Sequence, residues 1–203
     1  MTEDPTKSWP TVTAVIEHAR SGADHYARKA KEGDDYVPLR FYAIPEAALE
    51  IGTRRGRDIH MACADLVAGE PDYWTEDAEI GPYVAQFQAF LAQAKVEVHA
   101  TEERCRNAIH EYRGRLDYRL TLNGSEDERC VLDLKSGQPS VFDQIQTQAY
   151  RSCYAEALRR YALYVTPTRY RLIEHRSPHD YAGWVAMLQF YKWGKLTLKG
   201  KSL

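Results

Sequence analysis

The sequence predicts a mixed α/β fold in which helices fill the first half of the chain and a small sheet, interrupted by a helix, fills the second. Apolar residues recur at helical spacing up to Lys95 and alternate with polar residues directly after it. The dipeptide Asn123-Gly124 marks a turn between two such alternating runs. The predicted order is therefore helices, a three-stranded meander, a helix, two strands and a closing helix.

The first half contains four predicted helical segments. The first has Thr11 or Thr13 as its N-cap, and glycine should break the pattern at Gly52. Gly69, followed by Pro71 and Asp72, should end the third segment. The four segments are Thr11–Arg20, Pro45–Ile51, about Arg57–Val67, and Pro82–Lys95.

The second half contains the predicted strands. Val96 to Thr101 alternates in polarity, as a half-buried strand does, and a second alternating run ends at Leu122. The segment Gln144–Arg160 has no glycine or proline and a helical apolar pattern. The remaining predicted elements are strands at Cys130–Lys135, Tyr161–Val165 and Tyr170–Glu174, and a closing helix at about Pro178–Trp193 before a frayed tail, LTLKGKSL.

Length and composition predict one globular domain. The 203 residues are divided into a helical cover (1–54), a core (55–175) and a C-terminal helix with its tail (176–203). With 44% hydrophobic and 28% charged residues, the chain is not of the disordered, collagen-like or coiled-coil type. Its apolar runs are too short to span a bilayer and its start is polar, so no membrane partner and a cytoplasmic location are expected.

The cysteines and the net charge narrow the classes of function. No two of the four cysteines form a Cys-x-x-Cys pair, so a zinc or redox motif is not expected and the thiols should be reduced and mostly buried. The formal net charge of −2 gives no bulk attraction for nucleic acid, but it is compatible with a local basic groove.

Three charged residues on two predicted strands carry the chemistry. Asp133 and Lys135 lie two apart and share one face, and a hairpin would bring Asp117 beside them. Carboxylates in this arrangement suit a hard cation such as Mg²⁺ or Mn²⁺, and an adjacent lysine can orient water or stabilise negative charge. An Asp-x-Lys pattern taken alone is more often a solvated edge with surface ion pairs.

The order of elements together with this motif resembles the PD-(D/E)XK nuclease superfamily, whose α-β-β-β-α-β core carries an Asp before the second strand and D/E-x-K on the third. Gln146 and Tyr150 match the QxxxY signature of its exonuclease branch, which includes recombination nuclease domains and CRISPR-associated exonucleases. The run Arg55-Gly56-Arg57-Asp58-Ile59-His60 is similar to the RGxxxH helix of that branch. The matches span residues 55–150, and the preceding segment looks like the start of phage and prophage members.

The resemblance implies a restriction-endonuclease-like core, with a central mixed sheet flanked by helices, and a set of site residues. It implies that Lys135 positions the attacking water and that Gln146 and Tyr150 hold the scissile phosphate or water. Glu102 would support a second ion or its water, and Glu103 is the alternative, because a one-residue shift of register reverses the face. The implied metal ligands are His60, Asp117, Asp133 and the main-chain carbonyl of Leu134.

Two further features refine this expectation. Arg54, Arg55 and Arg57 cluster near a predicted helix N-terminus, where they would bind the nucleic-acid backbone, although such clusters are usually solvated faces. Some relatives bind an iron–sulfur cluster with three cysteines close to the C-terminus, and this chain has none after Cys153. No iron–sulfur cluster is therefore expected, and cluster-free phage and mitochondrial genome maintenance exonucleases are the nearer comparisons.

The function expected from the resemblance is a Mg²⁺- or Mn²⁺-dependent deoxyribonuclease, most simply an exonuclease, in DNA processing, recombination or phage DNA metabolism. DNA is the expected substrate, and a recombination protein is a compatible partner. Two alternatives stay open: a structure-specific endonuclease of the same superfamily, and a catalytically inactive nucleic-acid-binding module. Polarity, strand preference, activity on RNA and oligomeric state are not set by these residues.

Overall fold

The computed structural model describes residues 5–20, 46–70, 74 and 76–199. Its described α-helices are α1 (residues 12–20), α2 (Glu46–Ala68), α3 (Gly81–Gln93), α4 (Val141–Arg151) and α5 (Asp180–Lys199). Its described strands are β1 (Glu97–Asn107), β2 (Tyr112–Thr121), β3 (Arg129–Lys135), β4 (Arg159–Val165) and β5 (Tyr170–Glu174).

The strands form one mixed sheet in the order β1-β2-β3-β4-β5. The first three strands are antiparallel neighbours, as the predicted meander requires. β4 lies parallel to β3, because α4 carries the chain across the sheet between them, and β5 returns antiparallel to β4. The expected mixed α/β architecture, with helices flanking a central mixed sheet, is confirmed.

Two hydrophobic cores hold the helices on opposite faces of the sheet. On one face α2 and α3 cover the sheet, and Phe87 packs in the same core as Leu132. On the other face lie α1, α4 and α5, where Trp184 shares a core with Val131. Since Val131 and Leu132 are adjacent in β3 and point to opposite faces, the sheet is buried on both sides. Each such large side chain contributes about 1.5–3 kcal/mol by leaving water.

Helix α2 corrects the prediction of two separate helices. It runs without a break through Gly52 and Gly56, so the predicted boundary between cover and core, at residues 54 and 55, falls inside a helix. A glycine in a helix costs only about 1 kcal/mol, and packing of Ile59 on the sheet outweighs that cost. Gly56 also brings the helix close to the segment after β3, since a Cβ there would lie 3.4 Å from Ser136 Oγ.

Helix α4 corrects a second prediction, because it ends at Arg151 rather than at Arg160. Ser152 is its C-cap, and the side-chain amide of Asn107 donates to the Ser152 carbonyl at 2.5 Å. Arg159 and Arg160 instead pair with β3 as the start of β4. Hydrogen bonding to a neighbouring strand therefore overrides the helical pattern of this segment.

Smaller differences concern the ends of elements. The Thr11 hydroxyl accepts from the Ala14 amide at 3.1 Å, so Thr11 rather than Thr13 is the cap. Gly69 has φ of +72° where α2 stops. The predicted frayed tail was wrong in part, because α5 continues to Lys199. Predictions for Pro45, for Pro71 and Asp72, and for residues 200–203 lie outside the described residues.

The state of the cysteines and the character of the helices bear on two expectations from the sequence. All four cysteines are free, three of them buried and Cys153 half-buried, as expected for reduced thiols. Among the described helices, none has the length and apolar character needed to cross a bilayer.

Candidate metal centre

The site lies in a notch where β2 and β3 separate. Their backbone pairing ends at Tyr118 and Leu132, so the next residues of β3 find no carbonyl of β2. The carboxylate of Asp117 replaces that partner, because its Oδ2 accepts from the Leu134 amide at 2.7 Å. The separation of the strands thus leaves room for side chains between them, and Asp117 lies at its apex.

The backbone on both sides of Asp117 is irregular. Leu116 packs in the core with α4 and α5, whereas Tyr118 packs in the core with α2 and α3. Residues two apart in a regular strand share a face, so β2 rotates at Asp117. Across from it, Glu102 has φ of +52°, a left-handed conformation that non-glycine residues rarely adopt. Such strain tends to occur at functional sites, where it directs a side chain.

Three side chains converge on one point in this notch. His60 of α2, Glu102 of β1 and Asp117 of β2 each offer a ligand atom, and these atoms lie within 4.8 Å of one another. His60 Nδ1 is 3.4 Å from Asp117 Oδ1. Burial alone would lower the pKa of His60, but the carboxylate of Asp117 raises it to about 9. His60 and the nearby Lys135 in turn hold the pKa of buried Asp117 below its usual value.

Buried Asp133 and half-buried Lys135 form an ion pair beside these three residues. Lys135 Nζ lies 2.5 Å from Asp133 Oδ2, and the Asp133 residue is only 2% exposed. Among the described residues, this oxygen finds no hydrogen bond of regular geometry. Burial, reinforced by Asp117, raises the pKa of Asp133 to about 7 despite the lysine. A single ammonium therefore offsets only part of the cost of burying the negative charge of Asp133, and further positive charge would stabilise it.

Gln146 and Tyr150 extend the site from α4. Lys135 Nζ donates to Gln146 Oε1 at 3.0 Å, and Gln146 Nε2 donates to the Tyr150 hydroxyl at 3.2 Å. Tyr150 packs against Gly114 of β2, where an added Cβ would lie 2.7 Å from the ring. The absence of a side chain at Gly114 is therefore what lets the ring lie beside the notch. Burial raises the pKa of Tyr150, so its hydroxyl stays protonated.

The two adjacent glutamates point to different partners. Glu102 Oε2 forms an ion pair with Arg115 Nε at 2.7 Å and lies in the notch. Glu103 instead accepts from Arg119 Nε and from the Tyr154 hydroxyl, each at 2.9 Å. The structure thus brings Glu102, and not Glu103, beside His60 and Asp117.

The three arginines near the start of the core do not act as one group. Arg54 and Arg57 are exposed, whereas Arg55 is half-buried with its guanidinium over the Tyr83 ring at 5.8 Å. They also lie within α2 rather than at its N-terminus, because the helix begins at Glu46. The free amides expected beside them are therefore absent from this part of the described chain.

The grouping differs in one respect from that implied by the resemblance. The expected ligand set contained Asp133, but the close trio contains Glu102 in its place, while Asp133 faces Lys135. Sequence reasoning also missed Arg115 as the partner of Glu102. The feature that identifies Arg115 as this partner is the cross-strand register, because Arg115 lies opposite Arg104 and therefore close to Glu102 on the facing strand.

No protein-family model matches the chain, and neither does any curated protein. Among solved structures, the crystal structure of SSO0001 is similar over 68% of this chain and 69% of its own, with 17% sequence identity and a TM-score of 0.35. A likeness at that level carries nothing about activity, so the chemistry of the site rests on its own side chains.

Proposed function

We propose that the chain is a metal-dependent DNA nuclease that hydrolyses phosphodiester bonds, as an exonuclease, with Mg²⁺ or Mn²⁺ in the notch. One observation carries the proposal. Residues from α2, β1, β2, β3 and α4, far apart in sequence, bring three carboxylates, an imidazole and a lysine into one notch. That donor set is the chemistry that PD-(D/E)XK nucleases use.

The donor set fits a divalent cation. Carboxylate oxygens suit Mg²⁺, and an imidazole nitrogen shifts the preference towards Mn²⁺. His60, Glu102 and Asp117 would hold the ion, with Asp133 and the Leu134 carbonyl adjacent. The Leu134 amide points to Asp117, and a strand residue directs its amide and carbonyl to the same side, which favours that carbonyl as a further ligand.

A bound cation would lower the pKa of a coordinated water and stabilise charge on the phosphate. Of the protein's own groups, Lys135 is held by Asp133 and Gln146, so its ammonium is fixed in the notch, where it would stabilise negative charge that develops on a bound phosphate. Its pKa is raised by Asp133 and Asp117, against the effect of burial, so Lys135 stays charged and is not a general base.

The helix that carries the glutamine and tyrosine is anchored firmly. Asp143 forms a capping box with Ser140 at the start of α4 and also accepts from the Tyr164 hydroxyl at 2.7 Å. Gln146 lies one turn further on, within reach of Lys135. This rigid support suits a role for Gln146 and Tyr150 in orienting a phosphate or water.

Linear and covalently closed circular duplex DNA, each with Mn²⁺, with Mg²⁺ and with chelator, provide the test. An exonuclease degrades the linear form and spares the circle, and the chelator stops it. Cleavage of the circular DNA would show that the protein is an endonuclease rather than an exonuclease. Binding of DNA without any cleavage in either ion would contradict the proposal and favour an inactive nucleic-acid-binding module.

The cytoplasmic location and a recombination protein as partner belong to the same proposal. Four free thiols in the structure support a reducing compartment. Measurement of the thiol state after rapid acid quenching of cells tests the compartment, since disulfide-linked protein would contradict it.

A further inference from the structure

Four arginines form a ladder on the β1–β2 hairpin, between the notch and the tip of the hairpin. Arg104 pairs directly with Arg115, and Arg106 pairs directly with Arg113. Directly opposed residues of antiparallel strands project to the same face. The four guanidinium groups, called here the arginine ladder, therefore share one face of a two-stranded ribbon.

The ladder faces away from the core beneath the hairpin. Cys105, Tyr112 and Leu116 alternate with the arginines and are buried with α1, α4 and α5. By the alternation of a strand, the arginines lie on the other side. Arg104 and Arg106 are exposed, and the Arg115 side chain is 71% exposed.

The positive charge of the ladder is mostly unmatched. Arg115 pairs with Glu102, at the end of the ladder nearest the notch. Within the described parts of the chain, no acidic side chain forms an ion pair with Arg104, Arg106 or Arg113, and Arg113 Nε is buried without a hydrogen bond. Like charges directly opposite in a sheet repel. Two such pairs in succession favour a polyanionic ligand.

We propose that the arginine ladder binds the phosphodiester backbone of a DNA strand and leads it to the notch. The proposal rests on the proposed nuclease function and names the path by which its substrate arrives. Guanidinium groups match phosphate oxygens with two parallel hydrogen bonds. Arg106 lies four residues from Glu102, about 14 Å along the strand, which equals about four nucleotides of a stacked DNA strand.

The test compares two double variants with the same loss of charge. Arg104→Gln with Arg106→Gln removes half of the ladder. Arg169→Gln with Arg171→Gln is the matched control, because both arginines are exposed and two residues apart at the opposite edge of the sheet. Binding of a fluorescein-labelled single-stranded DNA of about 20 nucleotides is measured by anisotropy, in chelator, from about 50 to 200 mM salt.

The ladder variant should bind at least about 10-fold more weakly, and the slope of log affinity against log salt should fall by about 1.4, or about 0.7 per lost contact. The control should keep the parental affinity within about 2-fold and the parental slope. Thermal unfolding checks the fold, and the ladder variant should melt no lower than the parent because each substitution relieves one repulsive pair.

Three results would overturn the ladder: parental affinity and slope in the ladder variant, an equal loss in the control, or competition by polyglutamate as strong as by DNA. Binding in chelator is independent of cleavage, so the two proposals fail separately. If the parent degrades DNA and the ladder variant binds DNA normally, only the proposal for the ladder is contradicted. If the parent binds DNA through the ladder but does not cleave it in Mn²⁺, only the proposed nuclease function is contradicted.

Discussion

Two neighbouring regions of the sheet place a glutamate and an arginine together with opposite consequences. In the notch, burial and the nearby Asp117 raise the pKa of Glu102, although Arg115 opposes the shift. On the next residue, burial alone would raise the pKa of Glu103, but hydrogen bonds from Arg119 and Tyr154 lower it. Glu103 is therefore a satisfied structural carboxylate, whereas Glu102 belongs to a group with excess negative charge.

The two glutamates show how a carboxylate that stabilises the fold differs from one that is placed to bind a cation. A group that stabilises the fold has its hydrogen bonds complete within the protein, as Glu103 does. The negative charge of the carboxylates in the notch is not fully neutralised within the protein, so a cation would stabilise them. Their close spacing is tolerated because the surrounding sheet and helices hold them in place. Substitutions in the two regions should therefore affect different measurements.

The largest effect is expected for Asp133→Asn. This change keeps the shape of the side chain and removes the buried negative charge that fixes Lys135. Cleavage of linear DNA should fall by about 10³-fold or more in either ion. The matched control, Glu103→Gln, should retain cleavage within about 2-fold. Cleavage by a folded Asp133→Asn protein at the parental rate would remove Asp133 from the site.

Lys135→Gln should follow, with a loss of about 10²–10³-fold in turnover. Since the ammonium acts on charge that develops during the reaction, DNA affinity measured in chelator should change by less than about 3-fold. Steady-state kinetics with a separate binding titration distinguishes the two quantities. Equal losses in turnover and affinity would instead make Lys135 a phosphate anchor.

His60→Gln should alter the preference between ions rather than abolish activity. Nitrogen ligands favour Mn²⁺ over Mg²⁺, so the parent should be more active in Mn²⁺, and the variant should lose most of that advantage. The ratio of cleavage rates in the two ions, at saturating ion, is the measurement. His99→Gln is the control, because His99 contacts Thr121 at 2.6 Å, outside the trio. An unchanged ratio in His60→Gln would exclude His60 as a ligand.

The smallest effects concern stability without added metal. Glu103→Gln should destabilise by about 0.5–1 kcal/mol near pH 7, because the Glu103 pair is partly exposed. Its lowered pKa means that the stabilisation is present above the unfolded value, about 4.3, and is lost as pH falls through the folded value. The deficit should therefore shrink below about pH 4.

Glu102→Gln should have the opposite sign in the same experiment. The raised pKa of Glu102 shows that its charged form is disfavoured, so the neutral amide should leave thermal stability at pH 7 unchanged or slightly higher. Unfolding curves measured from about pH 3 to about pH 7 compare the two variants. Equal destabilisation by both would contradict the difference between the two regions.

Much of the fold could be predicted from local patterns. The alternation of Leu116 to Leu122 and the run Cys130 to Lys135 correspond to β2 and β3, because each strand has an apolar period that differs from a helix. The predicted interruption of α2 was wrong, because a glycine weakens a helix without ending it when packing of the helix compensates for the cost. The end of α4 depends on pairing between β3 and β4, which a local pattern does not contain.

The site was predictable as a set of residues but not as a geometry. Asp117, Asp133 and Lys135 follow from spacing and strand faces. The choice between Glu102 and Glu103 depends on the left-handed backbone of Glu102, and the separation of β2 from β3 depends on tertiary contacts. These features arise from neighbouring strands, so a period of two along one strand leaves them undetermined.

Binding of Mn²⁺ to the parent, Glu102→Gln and Glu103→Gln, followed by the electron paramagnetic resonance signal of free Mn²⁺, tests the central claim most directly. The notch predicts that the parent binds the ion, that Glu102→Gln weakens binding by about 10–100-fold, and that Glu103→Gln leaves it unchanged. Absence of binding by the parent, or equal affinity in all three proteins, would contradict the assignment of the notch as a metal centre.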